Sequence, residues 1–166
     1  VYYKDPPGKE EVLHNLDLKT IEQVVSTRGD HGEQRVATSI DHVDLFLDSD
    51  FLKDGVMLVD SPGLNGVADH HREITQTQVK ASHACIFLFS ADHPGSKTDF
   101  EFLRELKSQS SNIFFVLNKI NVIKESEGQT VENVVETLRN TYRKQFPDEK
   151  TIPKIWPVAA NAALVA

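Results

Sequence analysis

Along the 166 residues, apolar positions fall into two alternating patterns. One is the short unbroken run: Val56–Val59, "ACIFLFS" at 84–90, "NIFFVLN" at 112–118 and "KIWPVAA" at 154–160. Runs of this length, closed by Gly, Pro, Asn or Asp, predict strands buried on both faces. The other pattern returns every third or fourth residue. It predicts helices at Asp17–Ser26 (Leu18, Ile21, Val24 and Val25, with Asp17 as N-cap), at His71–Ser82, at Thr98–Gln109 (Phe100, Leu103 and Leu106) and at Val131–Phe146. Nearer the start, Val1–Lys4 reads as a strand, followed by a Pro-Pro-Gly turn. "TRGDHGEQR" reads as a polar loop, and the two-fold alternation of Ile40, Val43, Leu45 and Leu47 predicts a half-exposed strand over Val36–Asp48.

Strands without alternation, separated by helices, predict an α/β fold with a mostly parallel sheet and helices on both faces. Right-handed crossovers then bring every strand's carboxyl end to one edge, where such sheets hold their ligands. Three segments stand at predicted strand ends: "VDSPG" at 59–63, "LNKIN" at 117–121 and "PVAANAAL" at 157–164. In the first, apolar residues run into Asp60, and Pro62-Gly63 stops the strand abruptly. That places a carboxylate where it could meet a metal ion through water.

Composition narrows the function classes. With 39% hydrophobic and 26% charged residues the chain is an ordinary globular domain, read as one domain over 1–166. A net charge of -7 without a Lys/Arg cluster argues against nucleic acid as a partner. The longest apolar run, Ala84–Phe89, is far too short to span a bilayer. Cys85 is the only cysteine and sits inside that run, so it reads as a buried reduced thiol suited to a cytoplasmic setting. The neighbours His70 and His71 diverge on a helix and do not converge on one ion.

The three strand-end segments and their flanks, "LKDGVMLVDSPGLNG", "HHREITQ", "ACIFLFSADHPGSKTDFEFL" and "IFFVLNKI", resemble the GTPase domain of bacterial dynamin-like proteins, relatives of dynamin and mitofusin. The resemblance implies a P-loop-GTPase-like fold that takes GTP or GDP with Mg²⁺. It implies that Asp60 holds Mg²⁺ through water and that the Asp60-Ser61-Pro62-Gly63 segment meets the γ-phosphate through the Gly63 amide. Glycine suits that place because a backbone N–H must approach phosphate with no Cβ in the way. Asn118 and Lys119 match the start of the guanine motif Asn-Lys-x-Asp. There the Asn braces neighbouring loops and the Lys stem lies over the base, with Asn121 at the motif's last position. Ala159, Ala160 and Asn161 stand where the family's last base-contacting loop occurs. For the intact protein the resemblance further implies GTP hydrolysis driving membrane remodelling or fusion, self-association through GTPase domains, and a cytoplasmic place at the membrane periphery. Lipid would be met through regions outside this chain.

Three features depart from the family pattern. No Gly-x-x-x-x-Gly-Lys-Ser/Thr loop is present: Gly8-Lys9 is followed by Glu10, and "ADHPGSKT" at 91–98 has Ala91 and Ser96 in place of both glycines. The expectation is a fragment whose phosphate loop and first switch lie upstream. Asn121 replaces a carboxylate that would accept from guanine N1–H and N2–H₂, and an unpaired buried donor costs about 1–3 kcal/mol. Leu64 stands where Ras-like enzymes place a water-orienting Gln, so no catalytic residue is identified. Two other readings stay open: a pseudo-GTPase acting as an interaction scaffold, and an ATP-using P-loop enzyme served by Lys97.

Overall fold

A computed structural model describes residues 1–4, 7–14, 40–61, 69–124 and 128–163. It divides into two compact units, Val1–Leu58 and Val59–Ala166. The helix predicted at 17–26, the loop after it, and residues 62–68 with Pro62, Gly63 and Leu64 lie outside the described residues.

In the first unit, β1 (Tyr2–Lys4) pairs antiparallel with β2 (Pro7–Glu10) on one side and β3 (Ile40–His42) on the other. Side chains secure both pairings. Tyr2 stacks on His42 at 4.3 Å between ring centroids, and the Tyr3 hydroxyl donates to Glu11 Oε2 at 2.9 Å. Pro7 and Gly8 open β2, so they belong to the strand and not to the predicted turn. Within the strand expected over 36–48, the described part that pairs is Ile40–His42; Val43 to Asp48 leave the sheet. The run Val56–Val59 is also no strand, and all four side chains are exposed. An extended segment becomes a strand only when a neighbour satisfies its amides and carbonyls. β1 already has a partner on each side, and no described strand pairs with 56–59.

The second unit follows the predicted rhythm: α1 (Asp69–Ala81), β4 (Cys85–Ser90), α2 (Lys97–Lys107), β5 (Ile113–Asn118), α3 (Val131–Gln145), β6 (Ile155–Pro157) and a short α4 (Ala160–Ala163). β4, β5 and β6 form a parallel sheet in that order. The register sets Ser90 beside Asn118 and Leu117 beside Pro157, so the three carboxyl ends are level. That alignment positions the candidate site. β6 is shorter than predicted: Val158 leaves the sheet and Ala160 begins α4.

Phe87, Phe89, Phe115 and Leu117 point to one face of this sheet and are buried under Phe100, Leu103 and Leu106 of α2 and Leu138 and Tyr142 of α3. Ring contacts cross-link the layers: Phe89 to Phe100 at 5.8 Å and Phe115 to Tyr142 at 5.8 Å. Ile86, Leu88, Phe114 and Trp156 occupy the alternate positions and remain exposed. Among the described residues, helix cover is therefore seen on one face. The apolar character of those alternate positions is what made the strands read as buried on both. At the end of α2 opposite the aligned strand ends, Lys107 Nζ donates to the Tyr142 hydroxyl (2.8 Å) and pairs with Glu149 (2.8 Å). The Tyr142 hydroxyl in turn donates to Glu149 Oε2 (2.7 Å). This network ties α2, α3 and the turn after α3 together.

Candidate functional site

The three level strand ends are stitched into one junction by backbone groups. The Ala91 N–H, just past β4, donates to the Asn118 carbonyl at 2.9 Å. The Val158 N–H, just past β6, donates to the Leu117 carbonyl at 2.8 Å, and Ile120 N–H returns to the Val158 carbonyl at 3.2 Å. The chains leaving β4, β5 and β6 thus meet around Asn118.

Asn118 adds a side-chain brace. Its Oδ1 accepts from the Lys119 N–H at 2.7 Å and from the Ala160 N–H at 3.2 Å. A carbonyl oxygen has two lone pairs, and this one spends them on two different loops. Lys119 itself adopts the left-handed conformation, φ 63° and ψ 32°, and is the one non-glycine residue with positive φ among those described. That conformation costs an L-residue roughly 1–2 kcal/mol. It is held by the Asn118 brace before it and by the one-turn 3₁₀ helix Ile120–Val122 after it, where Val122 N–H donates to the Lys119 carbonyl at 3.0 Å.

The Lys119 ammonium reaches across to β4's loop and pairs with Asp92 Oδ2 at 3.3 Å. The Ser90 hydroxyl beside Asp92 does most to hold this carboxyl below its ordinary range; burial opposes it, and the Lys119 ammonium adds a lesser downward pull. Sequence reasoning did not find this pair. Asp92 and Lys119 are 27 residues apart, and only the β4–β5 register brings them together.

The other expected residues divide plainly. Asn121 is exposed on the 3₁₀ turn directly after Lys119. Ala159 is half-buried, and Ala160 and Asn161 open α4, exposed at the same junction. Asp60 is exposed on irregular chain with Ser61 beside it, and the bonds that join the other three strand ends do not include them. Among the described residues no cation pairs with Asp60. Among the described residues no group of three His, Cys, Asp or Glu side chains could hold a metal by itself. A donor set of one carboxylate fits an ion that takes most of its ligands from water and phosphate.

The loop 91–98 does other work than cradling phosphate. Ser96 Oγ accepts from the Asp99 N–H (3.1 Å) and Asp99 Oδ2 accepts from the Ser96 N–H (2.9 Å), a reciprocal cap that starts α2. Lys97 is 90% exposed and lies 3.6 Å from Glu101 on its own helix. The ATP-site reading of Lys97 finds no support in this geometry.

A junction of this kind, with Asn-Lys at the middle strand end, directs attention to nucleotide-binding families. The family model described as "Dynamin family" matches residues 4–120. The chain belongs to the dynamin family. Among curated relatives of this dynamin-family chain, an "Uncharacterized protein in xynA 3'region" of Caldicellulosiruptor sp. is 29% identical over 164 residues, covering 99% of this chain and 38% of the relative. The "Probable transmembrane GTPase FZO-like, chloroplastic" of Arabidopsis thaliana is 28% identical over 121 residues, covering 73% of this chain and 13% of that protein. "Dynamin-like protein A" of Bacillus subtilis is 26% identical over 109 residues, covering 62% and 9%. The chain therefore spans well under half the length of these relatives. No solved structure is significantly similar to it. No described helix is long and apolar enough to cross a membrane.

Proposed function

We propose that this chain carries the guanine-reading half of a GTP-binding, GTP-hydrolysing domain. The observation that carries the reading is the Asn118 side chain. One oxygen fixes both the left-handed Lys119 and the α4 amide of Ala160, so the two loops that would flank a base are held as a unit before any base arrives. In this reading Lys119 lays its aliphatic stem along the base plane, and Asn121 meets the base edge. Ala159, Ala160 and Asn161 close the other side. At the phosphate end, Asp60 would hold Mg²⁺ through water and the Gly63 amide would meet the γ-phosphate. The ion, when bound, neutralises phosphate charge during hydrolysis. The β-phosphate cradle would come from a segment outside these 166 residues.

For the whole protein we infer GTP-driven work at membranes through self-association of such domains. Family membership and relatives named as dynamin-like and FZO-like GTPases support that reading. The test is nucleotide competition on the full-length protein, with a fluorescent GDP displaced by GDP, ATP or XTP in Mg²⁺ buffer. Displacement by GDP at concentrations far below ATP is expected. Equal displacement by ATP, or no nucleotide binding at all, would leave the scaffold reading in its place.

A further inference from the structure

We propose that Asp92 is a positioning residue for the base site: its carboxylate holds the Lys119 ammonium so that the lysine stem stays over the base. The inference rests on the base-site reading of Asn118 and Lys119 and adds a residue from a different strand end.

Asp92 has a fixed platform. On one side Ala91 is buried and its N–H is bonded to the Asn118 carbonyl; on the other, the His93 N–H closes a turn onto the Ser90 carbonyl at 3.2 Å. Further along, Gly95 packs so closely on Leu138 and Phe100 that an added Cβ would lie 2.7 Å from Leu138 Cδ1. The carboxylate is therefore presented to Lys119 by packed backbone, and little order has to be imposed when the pair forms. Lys119 needs such a partner. Its ammonium reaches Asp92 on the neighbouring strand's loop, and its stem is a flexible chain of four carbons. Without an anchor for the ammonium, the stem loses rotamer freedom only when a base binds, which weakens binding.

Besides the Ser90 hydroxyl, His93 stands near Asp92, its Nδ1 3.9 Å from Oδ1 on an 85% exposed ring; the oxygen that faces Lys119 is Oδ2. The two partners are about half exposed, 54% for Lys119 and 42% for Asp92. An effect of severalfold is expected, screened by salt. An ordinary surface pair would contribute slightly to stability and nothing to nucleotide affinity, and this difference is what the experiment reads.

The experiment titrates mant-GDP into the full-length protein as wild type, Asp92→Asn, Asp92→Glu, Lys119→Met and the Asp92→Asn/Lys119→Met double variant, with thermal melts confirming that each is folded. Asp92→Asn is expected to weaken mant-GDP binding about three- to fivefold at low salt, with less loss in about 1 M salt. Asp92→Glu is expected to recover most of the affinity. In the Lys119→Met background the Asp92→Asn change should have almost no further effect, because the group it positions is gone. Steady-state GTP hydrolysis should show KM rising by the same factor while kcat holds. Unchanged affinity in Asp92→Asn overturns the proposal, as does an equal loss with or without Lys119. A wild-type protein that fails to bind mant-GDP is a different result: it overturns the base-site reading, and this proposal with it.

Discussion

Replacing Gly95 by alanine tests how closely the loop that follows Asp92 packs on the core. Gly95 has φ +72°, and a Cβ built there would lie 2.7 Å from Leu138 Cδ1 and 2.9 Å from Phe100 Cε2. Neither neighbour has room to move, since Leu138 and Phe100 are each 1% exposed in the core between sheet and helices. Two costs follow. The left-handed backbone costs an alanine roughly 1–2 kcal/mol, and forcing a methyl into a filled core costs typically 1–3 kcal/mol. Together they predict a loss of about 2–5 kcal/mol. Gly128 supplies the control, because its φ is +77° and no described residue lies within 4 Å of the added Cβ. Gly128→Ala should cost only the backbone share, roughly 1–2 kcal/mol. Urea unfolding monitored by circular dichroism and Trp156 fluorescence measures both. Equal losses in the two variants would refute the close packing of this loop on α3. A loss in Gly95→Ala below about 1 kcal/mol would refute the backbone argument as well.

Other expectations follow from single residues. Burial raises the Glu149 carboxyl, but hydrogen bonds from the Lys107 ammonium and the Tyr142 hydroxyl outweigh it and hold the group below its ordinary range. A carboxyl depressed in the folded state adds stability above its unfolded pKa, near 4.3, and that stability is lost as pH falls toward the folded value. The urea midpoint of wild type should therefore exceed that of Glu149→Gln at pH 7, with the gap narrowing at pH 3; a gap that widens on acidification would reverse the sign. Asn121→Asp in the full-length protein should shift preference toward GTP over XTP about tenfold to a hundredfold, because a carboxylate accepts from guanine N1–H and N2–H₂ together. Competitive binding measures this, and an unchanged ratio would mean that residue 121 does not face the base. Asp60→Ala should abolish Mg²⁺-dependent hydrolysis with the melting temperature unchanged, since the side chain is exposed and its loss opens no cavity. Near-normal turnover would remove Asp60 from the metal site.

Legibility in the sequence followed the range of the forces involved. The second unit was readable almost element by element, because "ACIFLFS" and "NIFFVLN" are strands by composition and α2 and α3 carry apolar residues at helical spacing. Val56–Val59 and Val43–Asp48 have equally strand-like sequences, yet a strand exists only with a partner, and pairing is a long-range property that local pattern does not contain. At the site, Asn118, Lys119 and Ala160 were singled out from the strand-end segments, and the Asn118 side chain bonds to the amides of the other two. The left-handed turn at Lys119 was not legible, since a lysine carries no signal for positive φ. Nor was the Asp92 partnership, which depends on the level ends of two parallel strands.

The central claim is that Asn118 holds the two loops of a guanine site, and the affinity of Asn118→Ala for GDP tests it most directly. The substitution removes both bonds of one oxygen, leaving the Lys119 and Ala160 amides unbraced. Each lost bond is worth about 1–1.5 kcal/mol, so GDP measured by calorimetry on the full-length protein should bind about 30- to 150-fold more weakly, with the fold retained by circular dichroism. Wild-type affinity in a folded Asn118→Ala protein would contradict the account.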